Sequence, residues 1–251
     1  MGQADRQRWR QGIGTVLVAI GALAAGGGSR AADGPAAAVR RPVLLELFTS
    51  QGCSSCPPAD ALLRELAARD DVLALGYHVD YWDSLGWPDP FASKQFTARQ
   101  QRYARRQEWQ LFTPQLVIDG RQSIIGSQRS QALAGIAAAR IGHAAAAASI
   151  LRQGSAVQVA VGTVAAPEAG GEVWLLSFDA ERVTEIGRGE NAGRRIAYPN
   201  VVRSRRLLGR WHNEALTLAT TLQPDERGER LALLVQDDLG RVWALAATPS
   251  H

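Results

Sequence analysis

The only two cysteines of this 251-residue chain, Cys53 and Cys56, form a Cys-x-x-Cys motif that follows the apolar run 43–48 after four residues. The pattern predicts a buried strand that ends at Thr49, a short turn, and a helix that begins near Cys53. The first thiol would then lie at a helix N-terminus, where free N–H groups and the helix dipole stabilise a thiolate. The second would lie on the same helical face, within reach of a disulfide. This favours a redox-active pair, with an inert structural disulfide as the alternative.

The first 31 residues have the layout of a secretory signal peptide, with early arginines, an apolar stretch over 13–25 and small residues up to Ala31. We therefore expect residues 1–31 to be a signal peptide and the protein to be periplasmic or secreted. The apolar stretch is short and rich in glycine, so no stable membrane span is expected after signal cleavage; an uncleaved anchor is the alternative. Export suits the cysteine pair, because disulfides persist in oxidising compartments.

The net charge of +4 comes entirely from the N-terminal segment. Residues 1–41 contain six arginines and two aspartates, whereas the remainder carries 22 basic and 22 acidic residues. The remainder therefore lacks the excess of positive charge that is typical of nucleic-acid-binding proteins, and we expect no nucleic-acid partner.

The hydrophobic pattern changes along the chain. Over residues 42–150, short apolar strands alternate with helical stretches, which predicts an α/β domain. Over residues 155–248, short β-type runs alternate with clusters of Gly, Pro and Asp, which predicts an all-β, sandwich-like domain. The sequence thus predicts an α/β domain followed by an all-β C-terminal domain.

The predicted α/β domain resembles the thioredoxin-like superfamily in two features. One is Cys53-x-x-Cys56 at a strand-to-helix turn, and the other is Thr113-Pro114 directly before an apolar strand over 115–118. The resemblance implies a thioredoxin-like fold for this domain and a cis peptide bond before Pro114. It also implies a groove in which Pro114 packs beside the disulfide and Thr113 offers backbone groups to a cysteine-containing substrate.

A longer stretch, residues 45–60, is similar to a family of exported bacterial proteins known as domain of unknown function 1223. The segments 78–83 and 189–191 support this similarity, which covers nearly all of the predicted mature chain and implies no established activity. Gly52 stands where the thioredoxin pattern has an aromatic residue, and Ser54-Ser55 replaces its usual Gly-Pro. These departures leave the direction of electron flow open.

Glu46 and His78 are the candidates for handling protons. Glu46 interrupts an apolar strand, and a buried carboxylate is costly without a partner or a task. In related oxidoreductases an acidic group below the disulfide takes the proton of the resolving cysteine, and Glu46 resembles it; a salt-bridged structural glutamate is the alternative. His78 lies at the end of a second predicted strand, 72–79, where a parallel arrangement would bring it to the same edge as Cys53. Its alternative role is to satisfy loop backbone groups.

The sequence therefore predicts an exported thiol–disulfide oxidoreductase in which Cys53 attacks and Cys56 resolves. Its substrates would be protein or small thiols, a separate protein would serve as redox partner, and the disulfide itself would be the only redox group. One alternative is a copper(I)-binding chaperone or redox sensor with Cys53, Cys56 and His78 as ligands. Against copper, the sole methionine is Met1, which would leave with the signal peptide. Another alternative is a non-catalytic thioredoxin-like interaction module.

Overall fold

Eleven strands and three α-helices make up the described part of the chain, which comprises residues 41–141, 144–224, 226 and 228–249 of this computed structural model. The predicted signal peptide lies outside the described residues. The helices are α1 (Pro57–Ala67), α2 (Lys94–Gln107) and α3 (Arg129–Ala139), with a 3₁₀ turn at Asp83–Leu85. The strands are β1 (Val43–Thr49), β2 (Val72–His78), β3 (Gln115–Ile118), β4 (Gln122–Ile125), β5 (Ala148–Gln153), β6 (Ala156–Val161), β7 (Gly171–Glu185), β8 (Arg195–Trp211), β9 (Leu216–Thr221), β10 (Arg230–Gln236) and β11 (Val242–Ala247).

One mixed sheet of eight strands runs through both halves of the described sequence, in the order β11-β10-β7-β8-β2-β1-β3-β4. Strands β1 and β2 are parallel and in full register, so Thr49 and His78 lie side by side where both strands end. Strand β8 is also parallel to β2, and the other pairs of this sheet are antiparallel. A second sheet has the order β5-β6-β9. The ends of β1 and β2 therefore form one edge, on which the candidate site is built.

The predicted fold class, an α/β thioredoxin-like domain followed by an all-β domain, is wrong. The structure is mostly β, and strands from both predicted segments pair within the same eight-stranded sheet. The long strand β8 joins the edge of β2, where its Asn200 side chain donates a hydrogen bond to the carbonyl of Ala74 at 2.8 Å. Gly76 is the residue of β2 that pairs with Val201 of β8. The pairing satisfies backbone groups of β2 that an isolated α/β domain would leave at a free edge.

Alternate side chains of β1 pack on opposite faces of the sheet, as expected for a strand. Leu45 and Leu47 contribute to the apolar cluster that contains buried residues of α1 and α3. Leu44 and Phe48 contribute to the cluster on the other face, with buried aromatic residues of α2. A third cluster joins the small sheet to β7, β8, β10 and β11. The strand that carries the Cys-x-x-Cys loop is thus anchored from both sides.

No helix among the described residues is long and apolar enough to span a membrane.

Candidate redox site

Cys53 and Cys56 form a disulfide in the loop that follows β1, with their Cα atoms 5.4 Å apart. Two consecutive turns shape this loop: the N–H of Cys53 donates to the Ser50 carbonyl at 3.1 Å, and the N–H of Cys56 donates to the Cys53 carbonyl at 3.2 Å. Both cysteines are fully buried, whereas the intervening Ser54 and Ser55 are exposed. The loop therefore presents its serines to solvent and keeps its sulfur atoms inside.

Helix α1 begins at Pro57, with Cys56 as its N-cap, so the prediction that the helix begins near Cys53 is wrong. Proline suits the first helical turn because it has no N–H to leave unsatisfied there. For the same reason Pro57 and Pro58 remove two of the N–H groups that would otherwise face an anion at the helix start. The N–H of Ala59 is also engaged, since it donates to the Cys56 carbonyl at 2.8 Å. Stabilisation of a Cys53 thiolate by the helix is therefore weaker than the motif alone indicates.

Thr113 and Pro114 lie next to the disulfide loop, and the peptide bond between them is cis, which confirms the predicted conformation. The Ser55 hydroxyl contacts the Thr113 carbonyl oxygen at 3.5 Å and lies 3.4 Å from the Cys53 sulfur. The indole N–H of Trp82 donates to the Thr113 hydroxyl at 2.9 Å. The structure thus brings together the cysteine pair and the Thr113-Pro114 segment, as predicted from their order in the chain.

Glu46 lies on the face of the sheet opposite α1, where it forms a structural ion pair. Arg99 donates to both of its carboxylate oxygens at 2.5 and 2.7 Å, and the Tyr103 hydroxyl donates at 2.5 Å. Burial raises the pKa of Glu46, but Arg99 more than offsets this and leaves the pKa below its usual value. Glu46 is therefore held as a carboxylate in an ion pair, which matches the structural alternative and not the proton-accepting role.

His78 is fully buried at the end of β2, with its Nδ1 2.6 Å from a carboxylate oxygen of Asp89. The same Asp89 oxygen accepts the backbone N–H of Gln51 at 2.8 Å, two residues before Cys53. Burial by itself lowers the pKa of His78, but the Asp89 carboxylate outweighs burial and raises the pKa above its usual value. The pair therefore fixes the start of the disulfide loop, and Asp89, which sequence reasoning missed, makes the direct contact.

Asp60 is a second residue that the sequence reasoning missed. It lies on α1, one turn after Cys56, and is almost fully buried. The Thr49 hydroxyl donates to one of its oxygens at 2.9 Å, while the other oxygen has no hydrogen-bond partner among the described residues. Burial raises the pKa of Asp60 to about 7, although the nearby His78 lowers it in part. A carboxyl group that titrates near neutrality is suited to exchange protons with a neighbouring thiol.

The loop over residues 186–194, between β7 and β8, reaches across to the disulfide loop from the C-terminal half of the chain. The side-chain amide of Asn191 donates to the Cys53 carbonyl at 2.8 Å. The carboxylate of the adjacent Glu190 accepts the backbone N–H of Ser54 at 3.2 Å. Through these contacts, the loop between β7 and β8 forms part of the site.

Two tryptophans complete the surroundings of the disulfide loop. Trp82 packs closely against Gly52: a Cβ at residue 52 would lie 3.1 Å from the Cβ of Trp82, which is a tight contact. The indole N–H of Trp87 donates to the Gln51 side chain at 2.8 Å, and Trp87 also packs against Gly189 of the 186–194 loop. Trp82 thus lies against Gly52, the position at which the thioredoxin pattern has an aromatic residue.

The family described as "Protein of unknown function (DUF1223)" matches residues 44–236 of the chain. The chain belongs to this family. The match confirms the resemblance inferred from residues 45–60, and it includes the disulfide loop, Asp60, His78 and the 186–194 loop. No curated protein is significantly similar in sequence to this DUF1223 member.

Two solved structures are similar to this DUF1223 member. A structural-genomics target from Agrobacterium tumefaciens has 26% sequence identity and a TM-score of 0.71, over 86% of this chain and 100% of that chain. HBP35 of Porphyromonas gingivalis has 14% identity and a TM-score of 0.54, over 83% of this chain and 75% of that chain. The second likeness shows the fold alone.

In the described part of this DUF1223 protein, no group of three or more His, Cys, Asp or Glu residues is placed to hold a metal ion. The ligands named for the copper(I) alternative, Cys53, Cys56 and His78, are not such a group. The two cysteines form a disulfide with each other, and His78 is paired with Asp89.

Replacing His78 with glutamine should destabilise the protein by about 1–3 kcal/mol at pH 6, because the charged hydrogen bond to Asp89 is lost. The folded-state pKa of His78 is raised, so its contribution is complete below the unfolded pKa of about 6.5 and is lost as the pH rises through the folded pKa. Urea unfolding from pH 6 to 9 should therefore show a shrinking gap between wild type and His78→Gln. His212→Gln, at an exposed histidine, is the control. A gap that grows with pH would contradict the charged pair.

Proposed function

We propose that this protein is an exported thiol–disulfide oxidoreductase that acts on protein or small thiols. One observation carries the proposal: the Cys53–Cys56 disulfide lies next to the Thr113-Pro114 segment and directly before α1, which carries the buried carboxyl group of Asp60 one turn after Cys56. This local arrangement is similar to thioredoxin-like active sites, although the overall architecture differs. The signal-peptide pattern of residues 1–31 supports export.

The chemistry begins when a substrate thiolate attacks the sulfur of Cys53. The substrate–Cys53 disulfide bond forms, the Cys53–Cys56 bond breaks, and Cys56 leaves as a thiolate that takes a proton from Asp60. A second substrate thiolate then attacks the substrate sulfur of the mixed disulfide, and Cys53 leaves as a thiolate. The substrate has lost two electrons and become a disulfide, while the protein has become a dithiol. A redox partner protein restores the starting state, and the reverse sequence reduces a substrate disulfide.

Cys53 is assigned as the cysteine that exchanges with the substrate because a hydroxyl group lies close to its sulfur. In the reducing direction, Cys53 is therefore the attacking thiolate. Ser55 Oγ, 3.4 Å away, can donate to a Cys53 thiolate, whereas Cys56 is the helix N-cap and precedes two prolines that offer no N–H. Both cysteines are fully buried, so a substrate reaches Cys53 only after the surrounding loops move. Thiol exchange at this site therefore includes a local opening step.

The reduction potential of the mature protein should lie between about −270 and −120 mV, the range of catalytic disulfides, when measured by alkylation and mass shift in graded thiol buffers. Cys56→Ser should accumulate a mixed disulfide when it is offered a substrate disulfide, because its Cys53 thiolate attacks that disulfide, releases one substrate thiol and has no resolving partner. Cys53→Ser should accumulate far less, and the double serine variant provides the baseline. A potential below about −300 mV, or equal trapping by the two single variants, would show that the disulfide is structural.

A further inference from the structure

We propose that Glu190 is a positioning residue that lowers the reduction potential of the Cys53–Cys56 pair by holding a negative charge against the backbone next to Cys53. The inference rests on the proposed function and deepens it, since it assigns to the 186–194 loop the task of setting the redox poise. Glu190 does not touch the reacting sulfur atoms in this role; it acts through the charge that it places beside them.

The position of Glu190 is fixed by its own contact and by its neighbour. Its carboxylate accepts the backbone N–H of Ser54, the residue that follows Cys53, at 3.2 Å. The adjacent Asn191 is 1% exposed and donates to the carbonyls of both Gln51 and Cys53 at 2.9 and 2.8 Å. An exposed side chain is thus held at the disulfide loop by a buried anchor.

Among the described residues, the charge of Glu190 has no nearby counter-ion. Within the described part of the chain, no arginine or histidine lies within ion-pair distance of its carboxylate, even though the same loop contains Arg188 and Arg194. Few backbone donors remain to offset it, because the N–H of Cys56 is bonded to the Cys53 carbonyl and the two following prolines have none. The negative charge of Glu190 is therefore not neutralised by any residue that the structure describes, and it can repel a thiolate at Cys53.

This charge affects the two redox states unequally. The disulfide is neutral, whereas reduction can produce a Cys53 thiolate that the Glu190 carboxylate repels. Destabilising the thiolate shifts the equilibrium toward the disulfide and makes the dithiol a stronger reductant. Because Glu190 is exposed, solvent screens the repulsion and the effect is modest.

Glu190→Gln tests the charge without removing the contact, since the amide oxygen can still accept the Ser54 N–H. We expect the equilibrium constant for reduction of the disulfide by dithiothreitol to rise about three- to tenfold, which corresponds to about 15–30 mV. Glu185→Gln is the matched control, because Glu185 ends β7 beside the same loop and its side chain is 85% exposed. An unchanged or lower constant for Glu190→Gln, or an equal rise for the control, would overturn the inference.

A second measurement separates electrostatics from a change in loop structure. The reduced Glu190→Gln protein should be alkylated at Cys53 faster than wild type at pH 7, and high salt should narrow the difference. Both assays need only the purified protein, dithiothreitol and an alkylating agent. Failure of the proposed function would appear in a different experiment, as equal trapping by the Cys53→Ser and Cys56→Ser variants. Equal alkylation rates at low salt would contradict the role of Glu190.

Discussion

Replacing Arg99 with methionine should lower the free energy of unfolding by about 3–5 kcal/mol, because Glu46 would be left as an unpaired charge inside the protein. Arg99 is 3% exposed at its side chain, Glu46 is 0% exposed, and the two are joined by two hydrogen bonds. Tyr103 donates to the same carboxylate, so the variant keeps one partner but loses the counter-ion. Urea unfolding at pH 7 measures the loss.

Arg106→Met is the matched control, because Arg106 lies on the same helix but pairs with an exposed aspartate, Asp238. An exposed pair of this kind contributes only about 0–1 kcal/mol, so the control should unfold close to wild type. The double variant Glu46→Gln/Arg99→Met should recover much of the loss, since it leaves no unpaired charge. A loss below about 1 kcal/mol for Arg99→Met would contradict the structural assignment of Glu46.

The elements next to the cysteine motif could be predicted from local sequence patterns. The strand over 43–49, the turn after it and the strand over 115–118 all appear where their residue patterns indicate. Each of these depends on neighbours within a few residues, which is why sequence alone suffices. Helix α1 begins at Pro57, four residues after the start that the cysteine motif predicts, because proline is favoured in the first turn of a helix.

The continuous sheet could not be predicted in the same way. The pairing of β2 with β8 joins Gly76 to Val201, residues that are far apart in the chain. No local periodicity encodes such a contact, because a buried apolar strand has the same sequence pattern whichever strand pairs with it. The β-rich pattern after residue 155 therefore predicts a separate domain, although its longest strands complete the sheet that carries the disulfide loop.

The assignment of Glu46 shows how strand alternation decides a role. Glu46 shares its face of β1 with Leu44 and Phe48, whereas α1 packs on the face of Leu45 and Leu47. A buried carboxylate on the α1 side of the sheet has to come from another element, and Asp60 lies on α1 itself, one turn after Cys56. The signal was present in the sequence: an aspartate four residues after Cys56, on the helical face that also carries buried leucines.

Asp60→Asn should slow thiol–disulfide exchange on the order of 100-fold while making the protein more stable at pH 8. The rate falls because asparagine cannot give a proton to Cys56 or take one from it, and general acid–base groups contribute factors of this size. The stability rises because ionised Asp60 is buried and one of its oxygens has no hydrogen-bond partner in the part of the chain that the structure describes. Exchange with a small thiol substrate and urea unfolding, both from pH 4 to 8, provide the measurements.

The sign of the stability change follows from the raised pKa. The pKa of Asp60 is about 7 in the folded protein, against about 3.9 in an unfolded chain, so wild type loses stability as the pH rises between these values. Each unit of pKa difference corresponds to about 1.4 kcal/mol, so the loss of stability reaches a few kcal/mol at pH 8. Asp60→Asn does not lose this stability, because asparagine does not ionise. The advantage of the variant should therefore shrink toward pH 4.

Asp70→Asn is the control for both readouts, because Asp70 is exposed shortly after the end of α1. It should leave the exchange rate and the stability unchanged across the pH range. If Asp60→Asn exchanges as fast as wild type while gaining stability, Asp60 is only a buried acid and another group moves the proton. If it loses stability at pH 8, the carboxylate has a counter-ion that outweighs its burial. Slow exchange combined with higher stability would mean that Asp60 is retained for its chemistry at a cost in stability, as expected of a catalytic group.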